Sequence, residues 1–482
     1  MVEESAGDVV RRERFSGGPA RGFLSSLAAD ERIFHADLQV DRAHVVMLAE
    51  QDIIADDEAG EILAALNAVE AAGHDELPDG EDVHSAIETA VIDRIGRVGG
   101  KMHTGRSRND EVATCLRYRL REDTLGLVET VLAFRESLCE LAQQEQATTM
   151  PGFTHLQFAQ PTTVGHYLLS YESALARDTE RLLSAFDRTN RSPLGAAAFA
   201  GTTFDIDRER TADLLGFDSV IENSMDAVSA RDFLTETTAA LATLATTLSG
   251  VAEDFIIFAS KGYVALDDDY ASTSSIMPQK KNPDSLELVR ASAGDASAGL
   301  NGILTTLKGL PRAYNRDLQR AHGHAFEAID AVTEATAVAA GAVATADWHA
   351  EMLADEAGEG FSTATGVADL LAAGGLPFRT AHEIVAEAAE QGADREAIES
   401  AATDAGVDLD EYVESAALDA ALDPAESIDS RDSYGGPAPE QVAGALERAA
   451  GDIADAEAAL AARRETLTEG VSLLNTEVDS YV

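Results

Sequence analysis

Residues 271–290, ASTSSIMPQKKNPDSLELVR, put the hydroxyls of Ser274 and Ser275, the ammonium of Lys280 and the amide of Asn282 within nine residues. Hydroxyls, cations and amides suit removal of a proton next to a carboxylate. That step creates a dianionic aci-carboxylate, which needs aimed donors and a positive charge. The chain has no His-Glu-x-x-His, no paired Cys-x-x-Cys, no phosphate-binding Gly-x-x-x-x-Gly-Lys and no Gly-x-Ser-x-Gly, so metal hydrolysis, phosphoryl transfer and triad hydrolysis lack their usual signatures. Pro278 and Pro283, with no apolar stripe between them, make the segment a loop able to close over a substrate.

Three further segments stand out against a chain of 86 acidic and 36 basic residues, net −50. Gly99–Thr114 contains Lys101, Arg106 and Arg108 against Asp110 and Glu111; Thr305–His322 contains Lys308, Arg312, Arg316 and Arg320 against Asp317. Residues 146–171 carry no formal charge, yet contain His155 and His166. A solvated surface here should be acidic, so polar segments that escape the bias are expected to be buried or to bind something. Their Arg, Lys and small polar groups suit an anionic small molecule bearing carboxylates, held in one concave site built from all of them. The plainer alternatives are a buried, satisfied His155, a helix salt-bridge role for Glu287, and helix capping by Asn109 or Asp110. Only five of the 36 basic residues are lysines, and Lys280 and Lys281 are two of them.

The elements that must carry these segments read as helices. Leu241, Leu244, Leu248, Val251, Phe255 and Phe258 recur at steps of three and four, as do Leu127, Val131, Phe134, Leu138 and Leu141. The expected fold is all-α: an N-terminal helical domain over 1–111, a central long-helix bundle over 112–360 and a C-terminal helical domain over 361–482. Turns are expected at Gly17-Gly18-Pro19, Pro78-Asp79-Gly80, Gly374-Gly375-Leu376-Pro377 and Gly435-Gly436-Pro437. No alternating strand series stands out, which leaves room only for a short hairpin. Stripes of this length point to a homo-oligomer.

Composition narrows the partners. So acidic a chain is not expected to bind nucleic acid. No apolar run reaches membrane-spanning length, the nearest candidate being Ala335–Ala346. The opening MVEESAGDVV lacks the basic and apolar parts of a secretory signal, and the two cysteines, Cys115 and Cys139, form no disulfide framework or metal motif. A cytoplasmic protein without metal or cofactor is expected. Self-repulsion at this charge further suggests a salt-rich cytoplasm, as in an extreme halophile.

The run Ser274-Ser275-Ile276-Met277-Pro278-Gln279-Lys280-Lys281-Asn282-Pro283 resembles the signature loop of the fumarase/aspartase superfamily. His103-Thr104-Gly105-Arg106-Ser107-Arg108-Asn109-Asp110, Met150-Pro151-Gly152-Phe153-Thr154-His155-Leu156-Gln157 and Lys308-Gly309-Leu310-Pro311 with Tyr314-Asn315 are similar to the argininosuccinate lyase branch. The likeness runs from about Phe15 to Val442. It implies a fumarase/aspartase-like fold and cleavage of argininosuccinate to arginine and fumarate, the last step of arginine biosynthesis. It also implies a homotetramer whose active sites are shared between subunits. At matching positions it implies that Ser274 is the base, that Lys280 and Asn282 hold the reacting carboxylate, and that His155, oriented by Glu287, serves the acid side. Arg108, Asn109, Thr154, Tyr314 and Gln319 would bind substrate. The alternatives are another fumarate-releasing lyase of the superfamily or a non-catalytic structural protein on the same scaffold. Four places depart from the family pattern: Thr273 precedes the serine pair where glycine is usual, Asp41 stands where a serine is usual, Arg320-Ala321-His322 follows Gln319 where Glu-Asp-Lys is usual, so that Arg320 or His322 would replace the lysine contact, and Pro437 follows Gly435-Gly436 where threonine is usual.

Overall fold

The structure, a computed structural model, describes residues 20–482. The turn expected at Gly17-Gly18-Pro19, the reading of the first ten residues and the start of the family likeness at Phe15 lie outside the described residues.

After a single helical turn at Ala20–Leu24, three longer helices follow: α1 (Phe34–Glu50), α2 (Asp56–Ala72) and α3 (Val83–Ile95). The next helix, α4 (Arg108–Gln144), has its start fixed chemically. Ser107 Oγ accepts the Asn109 N–H at 3.3 Å, and Asp110 Oδ1 accepts the Ser107 N–H at 3.0 Å, a reciprocal cap. At 1.5 Å per residue its 37 residues span about 55 Å.

A hairpin follows, β1 (Thr149–Thr154) and β2 (Gln157–Thr163), antiparallel, with Thr154 facing Gln157. The room left for a short hairpin is thus filled by the charge-free segment. The two residues at its tip, His155 and Leu156, have φ of 56° and 58°. Both left-handed positions define a type I′ turn, which normally recruits Asn or Gly. The absence of those residues, with Pro151 and Pro161 in the strands, hides the hairpin from a pattern search.

Four more long helices complete the bundle: α5 (Val164–Thr189), α6 (Asp232–Lys261), α7 (Asp284–Leu307) and α8 (Ala321–Ala344). They alternate in direction, so loops at one end of the bundle hold residues 145–163 and 262–283, and loops at the other hold 190–231 and 308–320. The stripe expected from Leu241 to Phe258 is buried along its whole length. Helix α6 is long and apolar enough, by length and composition, to cross a membrane, a possibility that scanning for charge-free runs misses; here it packs against α5, α7 and α8 inside the bundle.

Beyond the bundle, α9 (Ala364–Ala373), α10 (Phe378–Gln391), α11 (Arg395–Asp404) and α12 (Ser415–Leu422) enclose a separate apolar core centred on Val367, Leu371, Ile384 and Ile398, with α13 (Pro424–Asp429) following. The last helix, α14 (Pro439–Tyr481), leaves this unit and runs back along α4 and α5, burying Leu460, Leu474 and Val478 in the main core. Residues 361–482 therefore do not form one body. The N-terminal helices also share the main core with the bundle, which composition does not reveal.

Candidate functional site

At the lower end of the bundle a cavity of about 150 Å³ is lined by Arg108, Asn109, Tyr314 and Gln319. Arg108 Nη1 donates to Asp82 Oδ2 at 3.1 Å, while its Nη2 is buried without an acceptor. Asn109 Nδ2 donates to the Ala198 carbonyl at 3.0 Å, so its side chain does not cap α4; Asp110 takes that part. Gln319 Nε2 donates to the Leu24 carbonyl at 3.3 Å. Four of the expected substrate-binding residues thus share one cavity.

The remaining ones are elsewhere. Thr154 and His155 sit exposed at the hairpin tip, on a second and larger cavity of about 1070 Å³. The exposed ring excludes the reading of His155 as a buried, satisfied histidine. No hydrogen bond or ion pair joins it to Glu287 within the chain, and Glu287 is itself exposed on the first turn of α7.

Ser274, Lys280 and Asn282 line neither cavity. Their loop is pinched at its base by a two-residue ladder, Ser272 facing Asn282 and Thr273 facing Lys281, so Thr273 ends a short strand. Ser274 Oγ accepts two backbone N–H groups, from Ile276 at 3.3 Å and Met277 at 3.1 Å. Donors aimed at a hydroxyl oxygen favour its anionic form, which a serine base requires. Lys280 is exposed, whereas Lys281 is tied to the Leu266 carbonyl and to Asp268 Oδ1 at 2.6 Å.

The expectation of one concave site within the chain therefore fails. Its physical reason is the length of the helices: α4 separates Arg108 from the hairpin by about 55 Å, and the 24 residues of α7 separate Asn282 from Lys308 by about 36 Å.

Behind the lower cavity lies a buried ionic network that the sequence did not announce. Arg106 Nη1 meets Asp41 Oδ1 at 2.6 Å and Arg106 Nη2 meets Glu111 Oε1 at 3.0 Å. His84 Nδ1 meets Asp37 Oδ1 at 2.8 Å, and the Cys115 thiol donates to the same oxygen at 3.3 Å. Burial disfavours the charged imidazole, but Asp37 and Glu111 outweigh it and push His84 up to about 10. Burial raises Asp41 to about 7 against the pull of Arg106, with Asp37 adding to the rise. Asp37, His84 and Cys115 bring oxygen, nitrogen and sulfur within 4.8 Å, a spacing a metal ion could use. The cluster of carboxylates is, however, already supplied with positive charge by Arg106 and His84. Asp41 is thus part of the scaffold and faces a guanidinium, not substrate.

His84, Arg231 and His322 also line the lower cavity. Sequence reading passed over the first two because they lie outside the charge-poor segments, on helix-like stretches where a lone basic residue carries no signal. His322, suspected as a replacement for a family lysine, does reach the cavity, whereas the Arg320 guanidinium lies 5.9 Å from the Phe23 ring centroid.

The fold and these segments define a class first. A family model described as Lyase matches residues 22–297, and one described as Argininosuccinate lyase C-terminal matches residues 361–429. The structure is similar to an EDDS lyase in complex with formate, with a TM-score of 0.84 at 32% identity over 96% of each chain. It shares the fold of a class II fumarase from Schistosoma mansoni, with a TM-score of 0.70 at 16% identity over 80% of this chain and 90% of that one. Among curated relatives, the argininosuccinate lyase of Natronomonas pharaonis is 71% identical, covering 98% of this chain and 97% of that protein. That of Halobacterium salinarum is 63% identical over 98% and 99%, and that of Methanosarcina acetivorans 44% over 98% and 99%. The chain belongs to the argininosuccinate lyase family.

Proposed function

We propose that this chain cleaves argininosuccinate to arginine and fumarate by elimination, with Ser274 as the base. The observation that carries the role of Ser274 is its oxygen, fed by two backbone N–H groups in a loop that also holds Lys280 and Asn282. Ser274 Oγ takes a proton from the succinyl carbon next to a carboxylate. The electron pair moves into that carboxylate, which Lys280 and Asn282 hold as it becomes a dianion. Collapse forms the carbon–carbon double bond of fumarate and breaks the carbon–nitrogen bond. The departing guanidino nitrogen takes up a proton on the acid side, where His155 and Glu287 belong, while Arg108, Asn109, Thr154, Tyr314 and Gln319 hold the substrate.

For these groups to meet, the upper end of one copy has to reach the lower end of another, so we place the site between subunits of a homotetramer. Helix α7 supports association: Leu288 and Leu304 on it are 74% and 49% exposed. We further propose a role in arginine biosynthesis, supported by a reaction that releases arginine, and a cytoplasmic location.

The test is fumarate release, followed by ultraviolet absorbance, on argininosuccinate, aspartate, malate and adenylosuccinate. Release from argininosuccinate alone supports the reading. Release from another of the four, or from none, contradicts it.

A further inference from the structure

Lys261 is one of only five lysines in the chain, and it is the last residue of α6. Lys101 and Lys281 pair with Glu58 and Asp268. The Lys261 ammonium instead lies 5.1 Å from the ring centroid of Phe153 and 5.5 Å from those of Phe158 and Tyr263. Asp254, Asp369 and Asp432 line the same larger cavity, yet among the described residues none of them forms an ion pair with Lys261. Asp254 accepts the hydroxyls of Tyr171 at 2.6 Å and Tyr167 at 3.2 Å. A cation at a helix C-terminus is ordinary, but that does not account for its seat among three rings, whose faces attract an ammonium.

Two of those rings belong to the hairpin that carries Thr154 and His155. Phe153 faces Phe158 across the ladder, one rung below Thr154 and Gln157. Little within the hairpin holds its tip. His155 and Leu156 adopt a left-handed backbone that neither residue favours. The register shifts between Pro151 and Phe153, and Pro151 and Pro161 donate no ladder hydrogen bonds. A two-stranded ribbon is at best marginal alone, so this one needs support from outside. The end of α6 supplies it. The Phe153 ring stacks on Tyr263 at 6.3 Å and lies 6.3 Å from Phe258, and both partners are buried in the main core. The Tyr263 hydroxyl is itself fixed by donating to Glu356. Gly360 also closes on the hairpin: a Cβ there would lie 3.2 Å from the Phe158 Cβ.

We propose that Lys261 is a positioning residue for the reaction: its ammonium, seated among the rings of Phe153, Phe158 and Tyr263, clamps the hairpin to the end of α6 and so fixes where Thr154 and His155 meet the substrate. The proposal rests on the reading above, which puts His155 on the acid side and Thr154 against the substrate. The clamp has leverage because its rings are one rung from the tip, so a small tilt of that rung swings His155. A misplacement of about 1 Å at a reacting group can cost about 100-fold in rate. Lys261 acts through the rings it touches, and the proton transfer stays with His155.

The test uses Lys261→Met, which keeps a long stem without the charge, and Lys261→Arg, which keeps a cation able to lie on the rings. Lys261 is exposed, so both variants should fold. Each is made alone and with His155→Gln in the full-length assembled enzyme, at one fixed high salt concentration. The readouts are kcat and KM for argininosuccinate, the melting temperature, and hydrogen exchange at residues 153–158. Lys261→Met should lower kcat at least about 10-fold, with a smaller change in KM. Its hairpin amides should exchange at least about 10-fold faster, while α6 exchanges as in wild type. Lys261→Arg should keep kcat within about threefold of wild type. With His155→Gln in place, Lys261→Met should change kcat by less than about threefold, because the group it positions is gone. A Lys261→Met enzyme that lowers only the melting temperature overturns the proposal and leaves Lys261 a helix-end cation. A loss that Lys261→Arg does not restore, or equal fold losses with and without His155, also overturns it. If His155→Gln alone keeps wild-type turnover, the acid-side reading of His155 fails instead. The clamp is then decided by hairpin exchange in Lys261→Met: faster exchange supports it and unchanged exchange overturns it.

Discussion

Arg106 and Asp41 meet at 2.6 Å with both side chains 1% exposed. A pair this buried is costly to half-remove, because the partner left behind keeps its charge in a medium that cannot solvate it. Arg106→Met should therefore destabilise the protein by about 3–5 kcal/mol, since it strands Asp41 and Glu111 together. Asp41→Asn should cost much less, because the carboxyl it replaces is already inclined to hold a proton. Chemical denaturation at fixed protein concentration checks the order; equal losses would contradict the network.

His84 gives the network a pH dependence of known sign. Its folded-state value is raised from 6.5 to about 10, so its contribution to stability is full below pH 6.5 and is lost as pH rises through about 10. Asp37, Glu111, Asp82 and Asp30 face the ring, and Arg106 and Arg231 are the neighbouring cations. Melting temperatures taken from pH 6.5 to 10 should fall more steeply in wild type than in His84→Gln. Parallel curves would show that the imidazole is not held charged.

Ser274→Ala removes a hydroxyl from a loop and no apolar contact. Turnover should fall by at least about 10²-fold while the melting temperature stays unchanged. Retained turnover would sink the assignment of the base.

A net charge of −50 makes screening part of the fold's stability. The screening length falls from roughly 10 Å at 0.1 M salt to roughly 3 Å at 1 M. The melting temperature should climb across that range, at roughly 2–4 °C for each kcal/mol of repulsion relieved. A flat response would remove the argument for a salt-rich setting, which the relatives from Natronomonas and Halobacterium otherwise support.

The sequence disclosed some of this and hid the rest for physical reasons. Helical stripes such as Leu241 to Phe258 are local and periodic, so the bundle is readable. The loop at Ser274 is readable because its composition departs from an acidic background. The return of α14 to the bundle is a long-range event with no local marker, so the last 43-residue helix cannot be placed by periodicity. The His155–Leu156 turn is hidden because neither residue prefers the left-handed backbone it adopts. Asp41, a departure from the family pattern, becomes intelligible only beside Arg106, 65 positions later in the chain. His84 and Arg231 reach the cavity from elements that carry no motif.

Arg108 and Ser274 lie at opposite ends of the bundle, so the proposed assignment of both to one active site stands only if another copy completes that site. Ser274→Ala and Arg108→Ala, each inactive alone, should be mixed under conditions that allow subunits to exchange. If each site takes Ser274 from one copy and Arg108 from another, random hybrids should recover about one quarter of wild-type fumarate release. Hybrids no more active than either parent, with exchange verified by mass, would contradict it.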